Sequence, residues 1–204
     1  MPSRSSSRNR RRAVAAGLLA ALLAGCASPL PKVVEPVEAQ RRLAAPESVQ
    51  GFYLSGRIGV QYDGQGFSGS LQWRHGGAAD EILILSPLGQ GVARIVRNAQ
   101  GVMLTTSDEQ VYHARDAESL TRQELGWELP LQGLQYWVLG LAAPGSEAGR
   151  EWDQEKRLSQ LRQDHWRIDY LNYRSAQGLS LPGKIVMSND RIEVKLVIDH
   201  WRVE

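Results

Sequence analysis

From Phe52 onward the chain is dominated by alternation. Leu54, Gly56, Ile58, Val60 and Tyr62 share one parity, and Ser55, Arg57, Gly59 and Gln61 share the other. A period of two with one apolar side predicts a strand with one dry and one wet face. Asp63-Gly64 predicts a hairpin turn. Beyond it, Phe67, Gly69, Leu71 and Trp73 line one side of a second strand, before Gly76-Gly77 turns the chain again. Glu81–Leu85, Gln90–Arg97, Val102–Thr106 and Gln110–His113 continue the series, and short turns between consecutive strands predict an antiparallel meander.

The period then changes. Ala117, Leu120 and Leu125 have helical spacing behind Asp116, an N-cap candidate. Leu131, Leu134, Trp137, Val138 and Leu141 lie along one side of a second helix, expected over 131–141. Strands resume at 158–162, 166–173, 183–188 and 191–201. A sheet of about ten strands does not stay open and flat. The expected architecture is therefore mainly β, with a curved antiparallel sheet and a few helices covering its concave side. The space between them either packs as core or holds an apolar ligand.

Composition changes the picture at the N-terminus. Arg4, Arg8, Arg10, Arg11 and Arg12 precede residue 13 with no acid among them, and without these five the formal net charge of +2 becomes −3. The basic balance belongs to the leader, so the remainder gives no reason to expect nucleic acid. Ala13–Leu23 contains only Ala, Val, Gly and Leu, and Leu23-Ala24-Gly25-Cys26 follows. A basic n-region, an apolar h-region and small residues at a cleavage point describe a secretory signal over 1–25. Eleven residues make ~16 Å of helix against ~30 Å of hydrocarbon, too short for a permanent span.

Cys26 is the only cysteine among 204 residues, so no intrachain disulfide forms. Leu-Ala-Gly-Cys resembles the lipobox of bacterial lipoproteins, which implies diacylglycerol on the Cys26 thiol, cleavage before it, and acylation of the new amine, palmitate being a typical chain. Several acyl chains at about 0.8 kcal/mol per buried methylene give lasting membrane attachment. An ordinary secretory signal with an incidental cysteine is the alternative. Ala27, where this class uses Asp for inner-membrane retention, favours the outer membrane. Residues 26–49, with Pro29, Pro31 and Pro36, read as a lipidated tether with a possible short helix over 36–43. Residues 50–204 form the folded domain.

Catalytic and cofactor chemistry finds no set of residues. Gly64-Gln65-Gly66-Phe67-Ser68-Gly69 fits G-x-G-x-x-G, but it opens a strand and not the helix a dinucleotide needs. His75, His113, His165 and His200 lack metal-ligand spacing. No G-x-S-x-G elbow occurs. The acid pairs Asp80-Glu81 and Asp108-Glu109 stand beside turn residues and read as solvated loops. The expectation is no enzyme, no metal and no cofactor.

Two features ask for more. In Leu85-Ser86-Pro87-Leu88-Gly89-Gln90 a tight turn carries Leu88 at its tip, where it is either a singly exposed leucine or a wedge for lipid. Six tryptophans stand against two phenylalanines. Trp73, Trp166 and Trp201 fall on strands and Trp137 on the second helix, so matching parities would gather them around one cavity.

Leu83-Ile84-Leu85-Ser86-Pro87-Leu88-Gly89, Leu134-Gln135-Tyr136-Trp137-Val138-Leu139-Gly140-Leu141 and Arg191-Ile192-Glu193-Val194-Lys195-Leu196 with Trp201 resemble the outer-membrane lipoprotein receptor family LolB, in order and spacing, from about Phe52 to Glu204. The resemblance implies an unclosed antiparallel β-barrel covered by helices over a hydrophobic cavity. It implies a receptor that accepts acylated lipoproteins from the periplasmic carrier LolA and delivers them to the inner leaflet of the outer membrane, without nucleotide. It assigns membrane insertion to Leu88 and cavity positions to Trp73, Trp137, Trp166 and Trp201. Ile58, Val60 and Leu71, on the apolar side of the first two strands, join them as candidates. A lipid-anchored monomer on the periplasmic face is expected. A binder of another lipid and a structural outer-membrane lipoprotein stand as alternatives.

Overall fold

The structure, a computed structural model, describes residues 46–125 and 130–204. Cys26, the leader, the tether as far as residue 45 and the helix expected over 36–43 lie outside the described residues, as does Trp127. After a 3-10 turn at Pro46–Ser48, six strands follow in meander: β1 (Gly51–Tyr62), β2 (Gln65–Gly76), β3 (Ala79–Leu85), β4 (Gly91–Asn98), β5 (Gly101–Thr106) and β6 (Val111–Ala114). Two helices come next, α1 (Ala117–Leu125) and α2 (Leu131–Trp137). Five strands complete the chain: β7 (Gly149–Trp152), β8 (Leu158–Gln163), β9 (Trp166–Ala176), β10 (Leu179–Ser188) and β11 (Ile192–Val203).

The strands make one sheet in the order β6-β5-β4-β3-β2-β1-β11-β10-β9-β8-β7. Every pairing is antiparallel. Two meanders meet where β1 pairs with β11, from Phe52 opposite Val203 to Tyr62 opposite Ile192. The outer strands β6 and β7 do not pair with each other, so the barrel is unclosed. Alternation explains the faces. Leu54, Ile58 and Val60 of β1 are buried together with Val194, Leu196 and Ile198 of β11, while Arg57 and Gln61 face water. Asp63 and Gly64 both take positive φ, the type I′ geometry that suits a two-residue hairpin. The glycine-rich stretch after them is turn and strand, as its context predicts.

The helices link the two meanders and lie against the same apolar core. Asp116 caps α1, its Oδ1 accepting from Ser119 N–H at 2.7 Å. α2 is shorter than the periodicity suggests. It stops at Trp137 because the chain reverses there: Gly140 N–H donates to Trp137 C=O and Leu141 N–H to Tyr136 C=O, the paired bonds of a Schellman ending. Val138 and Leu139 are still buried past the helix end.

Two strand boundaries also depart from the pattern. β7, all four residues exposed, has no apolar parity to announce it and exists as an edge paired to β8. β10 begins at Leu179 and not at 183, running through Pro182. The proline is tolerated because the β9–β10 register shifts beside it, freeing that position from the regular ladder. Asp80 is a third departure. It is a buried residue of β3, 2% exposed, and not part of a solvated loop.

Gly133 is required by close approach. A Cβ there would sit 2.6 Å from Cζ2 of Trp137, whose ring lies across that face of α2 and is fully buried. Alanine is the better helix former by ~1 kcal/mol, but displacing a packed indole costs roughly 1–3 kcal/mol. Gly133→Ala is therefore expected to lower the thermal midpoint of the protein. An unchanged or raised midpoint by circular dichroism would show that Trp137 can yield.

Candidate acyl-chain site

Apolar side chains from both meanders converge beneath α2. Ile58, Leu71 and Trp73 come from β1 and β2, and Ile82, Ile84 and Ile95 from β3 and β4. Met187, Val194 and Leu196 approach from β10 and β11, and Leu134 and Val138 close the top. The free space they enclose is only ≈ 40 Å³. A cavity of ~150 Å³ is needed for benzene, so this hollow admits no fatty-acyl tail until its walls move apart. The sheet wall is held by continuous ladders, whereas α2 is a single short helix.

The C-terminal end of α2 is pinned. Trp137 Nε1 donates to Gln163 Oε1 at 2.9 Å, and the same oxygen accepts from Ala143 N–H at 2.9 Å. Gln163 Nε2 donates in turn to Ala143 C=O at 2.7 Å and Ser146 Oγ at 2.8 Å. Tyr170 donates its hydroxyl to Trp137 C=O at 3.0 Å. Burial, with some repulsion from the nearby Tyr173, pushes the Tyr170 phenol far above its ordinary 10, so it remains a donor at any physiological pH. Gln163, on β8, thus ties helix and following loop to the sheet. Nothing in the sequence marks it, because a glutamine on a strand ordinarily faces water.

The sheet side has its own polar lock. Trp73 Nε1 donates to Asp80 Oδ1 at 2.8 Å, and His75 Nδ1 lies 2.8 Å from the same oxygen, so His75 carries a proton there. Arg97 holds Asp80 Oδ2 with its guanidinium. Strand register makes this row: His75 pairs with Asp80 across β2–β3, and Asp80 with Arg97 across β3–β4. Burial alone would raise the Asp80 carboxyl, but hydrogen bonds from His75, Trp73 and Arg97, with the arginine's charge, hold it below the ordinary 3.8.

The expected tryptophan set divides. Trp73 lines the hollow, with Ile58 and Leu71. Val60 is buried in the core but off the hollow's wall. Trp137 and Trp166 pair with ring centroids 6.2 Å apart, beside Gln163 and not on the hollow. Trp201 is half-buried at the opposite end of the sheet, donating Nε1 to Pro182 C=O at 2.9 Å and packing edge-on to Phe52 at 5.5 Å. Trp73 and Trp201 both stand opposite Leu54 of β1, Trp201 reaching the core side through the register shift at Ser55/Gly56, whereas Trp166 lies toward the other end of the sheet and Trp137 comes from α2. A larger indentation of ≈ 580 Å³ borders Trp166, but Arg162, Asp164, His165 and Arg167 line it, so it suits no alkyl chain.

Leu88 stands alone at the tip of the β3–β4 turn, 88% exposed. Gly89 N–H donates to Ser86 C=O at 2.9 Å, and Ser86 N–H to Gln90 C=O at 2.8 Å. Gly89 takes φ 81°, which absorbs the left-handed step and leaves Leu88 an ordinary backbone. The turn is closed by these two backbone bonds, and its leucine projects into solvent. Among the described residues no cluster of metal-ligating side chains occurs, and no helix is long and apolar enough to cross a membrane.

Comparison with known proteins adds to this geometry. The family model "Outer membrane lipoprotein LolB" matches residues 50–201. An outer-membrane lipoprotein LolB of Nitrosomonas europaea is 41% identical, over 90% of this chain and 89% of its own. That of Thiobacillus denitrificans is 40% identical, over 95% and 98%. Among solved structures, a LolA superfamily protein from Nitrosomonas europaea aligns with a TM-score of 0.48 at 12% identity, covering 82% of this chain and 91% of its own.

The buried Asp80 lock predicts an acid response. A carboxyl whose folded pKa is depressed contributes stability above its unfolded value, and the contribution fades as pH falls through the folded value. Wild type is expected to exceed Asp80→Asn in urea midpoint near neutrality, with the gap narrowing as pH drops below the ordinary 3.8. A gap independent of pH in urea titrations would show that the Asp80 charge is not held by its neighbours.

Proposed function

The chain belongs to the outer-membrane lipoprotein LolB family, whose members are receptors in lipoprotein localisation, and we propose that it takes acylated lipoproteins from a LolA-type periplasmic carrier, shelters their acyl chains beneath α2, and releases them into the inner leaflet of the outer membrane. The observation that carries this reading is the apolar hollow between the sheet and α2, walled by aliphatic side chains and Trp73 and closed to ≈ 40 Å³. An acyl chain in water costs ~0.8 kcal/mol per methylene, so it must pass from one apolar enclosure to the next without exposure. A hollow closed by its own side chains keeps water out while no cargo is present. It opens only when the incoming tail replaces the contacts that α2 gives up. No bond is made or broken in such a handover, so the protein works as a receptor and not as an enzyme, with no cofactor.

Residues 1–25 act in this reading as a lipoprotein signal peptide. Cys26 carries the diacylglycerol and palmitate-type chains, and residues 26–49 tether a monomeric domain to the periplasmic face of the outer membrane. Ile58, Leu71 and Trp73 contact cargo tails. Leu88, exposed at the turn tip, dips into the bilayer and assists release.

The non-lipidated Cys26→Ser chain is expected to strip a radiolabelled lipoprotein from LolA in solution. Cargo that stays on LolA at equal concentrations of the two proteins would refute the receptor role. Leu88→Glu is expected to accept cargo as well as the parent does but to leave it in the soluble fraction when liposomes are added. Delivery equal to the parent's would remove the insertion role from Leu88.

A further inference from the structure

The two sides of the hollow differ in how they are held: the side chains of Leu134 and Val138 meet it by apolar contact, whereas Trp73 is also hydrogen-bonded. Trp73 sits at the lower row of the hollow, level with Ile82 across β2–β3, and Ile82 is level with Ile95 across β3–β4. Below it Phe52 is 1% exposed and stacks edge-on to Trp73 at 5.1 Å, with the His75 ring 5.0 Å from Phe52 on the next position. Trp201 closes the far side of Phe52. This aromatic layer fills the lower end of the sheet's concave face. Its uppermost member, Trp73, is fixed by the 2.8 Å bond from its Nε1 to a carboxylate that is itself gripped by His75 and Arg97.

We propose that Trp73, positioned by Asp80, is the floor of the acyl-chain site and sets the longest tail that the site takes up fully. This rests on the acyl-binding role given above. Widening the hollow by moving Leu134 and Val138 lets a tail in from above, but it leaves the floor where it is. A bulky indole could otherwise swing aside, since only packing would oppose it. The buried hydrogen bond to Asp80 removes that freedom, because a rotated indole would strand both its own N–H and part of a buried carboxylate. Asp80 touches no cargo in this arrangement and acts only through Trp73.

The test uses the Cys26→Ser chain and synthetic S-diacylglyceryl-cysteine peptides with tails of graded length, from roughly ten to roughly twenty carbons, each added methylene being worth about fourfold in affinity while it is buried. Affinity is expected to climb at that rate and then level off at one tail length. In Trp73→Leu the levelling point moves to longer tails. In Asp80→Ala it moves or disappears, whereas Asp80→Asn, whose amide oxygen still accepts from the Trp73 indole, keeps the wild-type value. Trp73→Phe, closer in volume, serves if the leucine variant does not fold by circular dichroism. A levelling point unmoved in the Trp73 variants, or no levelling in the wild type, overturns the floor. An unmoved point in Asp80→Ala alone overturns the positioning role. A wild-type chain that binds none of the peptides overturns the acyl-binding reading itself.

Discussion

The backbone ladder between β1 and β11 is the constraint on which the rest depends. It joins the first strand of the domain to the last, residues some 140 positions apart, as in Ser55 opposite His200. Without it there are two meanders, each with one apolar face and nothing to bury it against. With it there is one sheet with a single concave face, and the helices between β6 and β7 fall across that face. Closing so long a loop is slow, because its entropy must be lost before the ladder rewards it. The seam is correspondingly apolar on its inner side, where Leu54, Ile58, Leu196 and Ile198 are all buried. A register shift at Ser55/Gly56 bends the seam and adds to the curvature.

A concave sheet under two short helices leaves a choice between a filled core and a receiving space, and this chain sits between the two. The hollow is real but small, and the side chains around it are aliphatic except for Trp73. Polar bonds are placed at its margins. Gln163 and Tyr170 hold Trp137 at the end of α2, and Asp80 holds Trp73. Each of these buried polar groups is satisfied, which is what permits polar atoms so near an apolar space. The part left without such ties is the roof over the hollow itself, Leu134 and Val138, which are held by apolar contact. Apolar contacts are non-directional and can be exchanged for contacts with a methylene chain.

Much of this was readable in the residues. Period-two alternation and apolar runs located ten of the eleven strands in outline, because most have one wet face to contrast with a dry one. Asp116 and Asp63-Gly64 named a cap and a turn by chemistry alone. Leu88 could be placed at a turn tip because Pro87 and Gly89 bracket it. What failed to show had physical reasons. β7 is exposed on both faces, so it has no pattern. Pro182 masked the start of β10 because a shifted register cannot be foreseen from one strand. Asp80 looked like a loop acid beside Gly76-Gly77, and only pairing reveals that His75 and Arg97 flank it on neighbouring strands. Shared parity says nothing about height, and it is height along the strand that separates Trp73 from Trp166; Trp201, level with Trp73 across β1, has the opposite parity to Ile192–Ile198 and reaches the core through the register shift beside Ser55. The family resemblance supplied the function, which no constellation of residues would have supplied alone.

The strand directions carry a last consequence for posture. The described chain enters the sheet at Gly51, where Gln50 and Gly51 bond to Glu204. The Leu88 turn lies toward the other rim: Leu85 pairs with Ser70, and Ser70 with Arg57, so ~20 Å of β1 separates the two levels at ~3.3 Å per residue. The chain therefore enters the domain at one rim and presents Leu88 at the other, so whatever engages that leucine meets the domain at the rim away from residue 51.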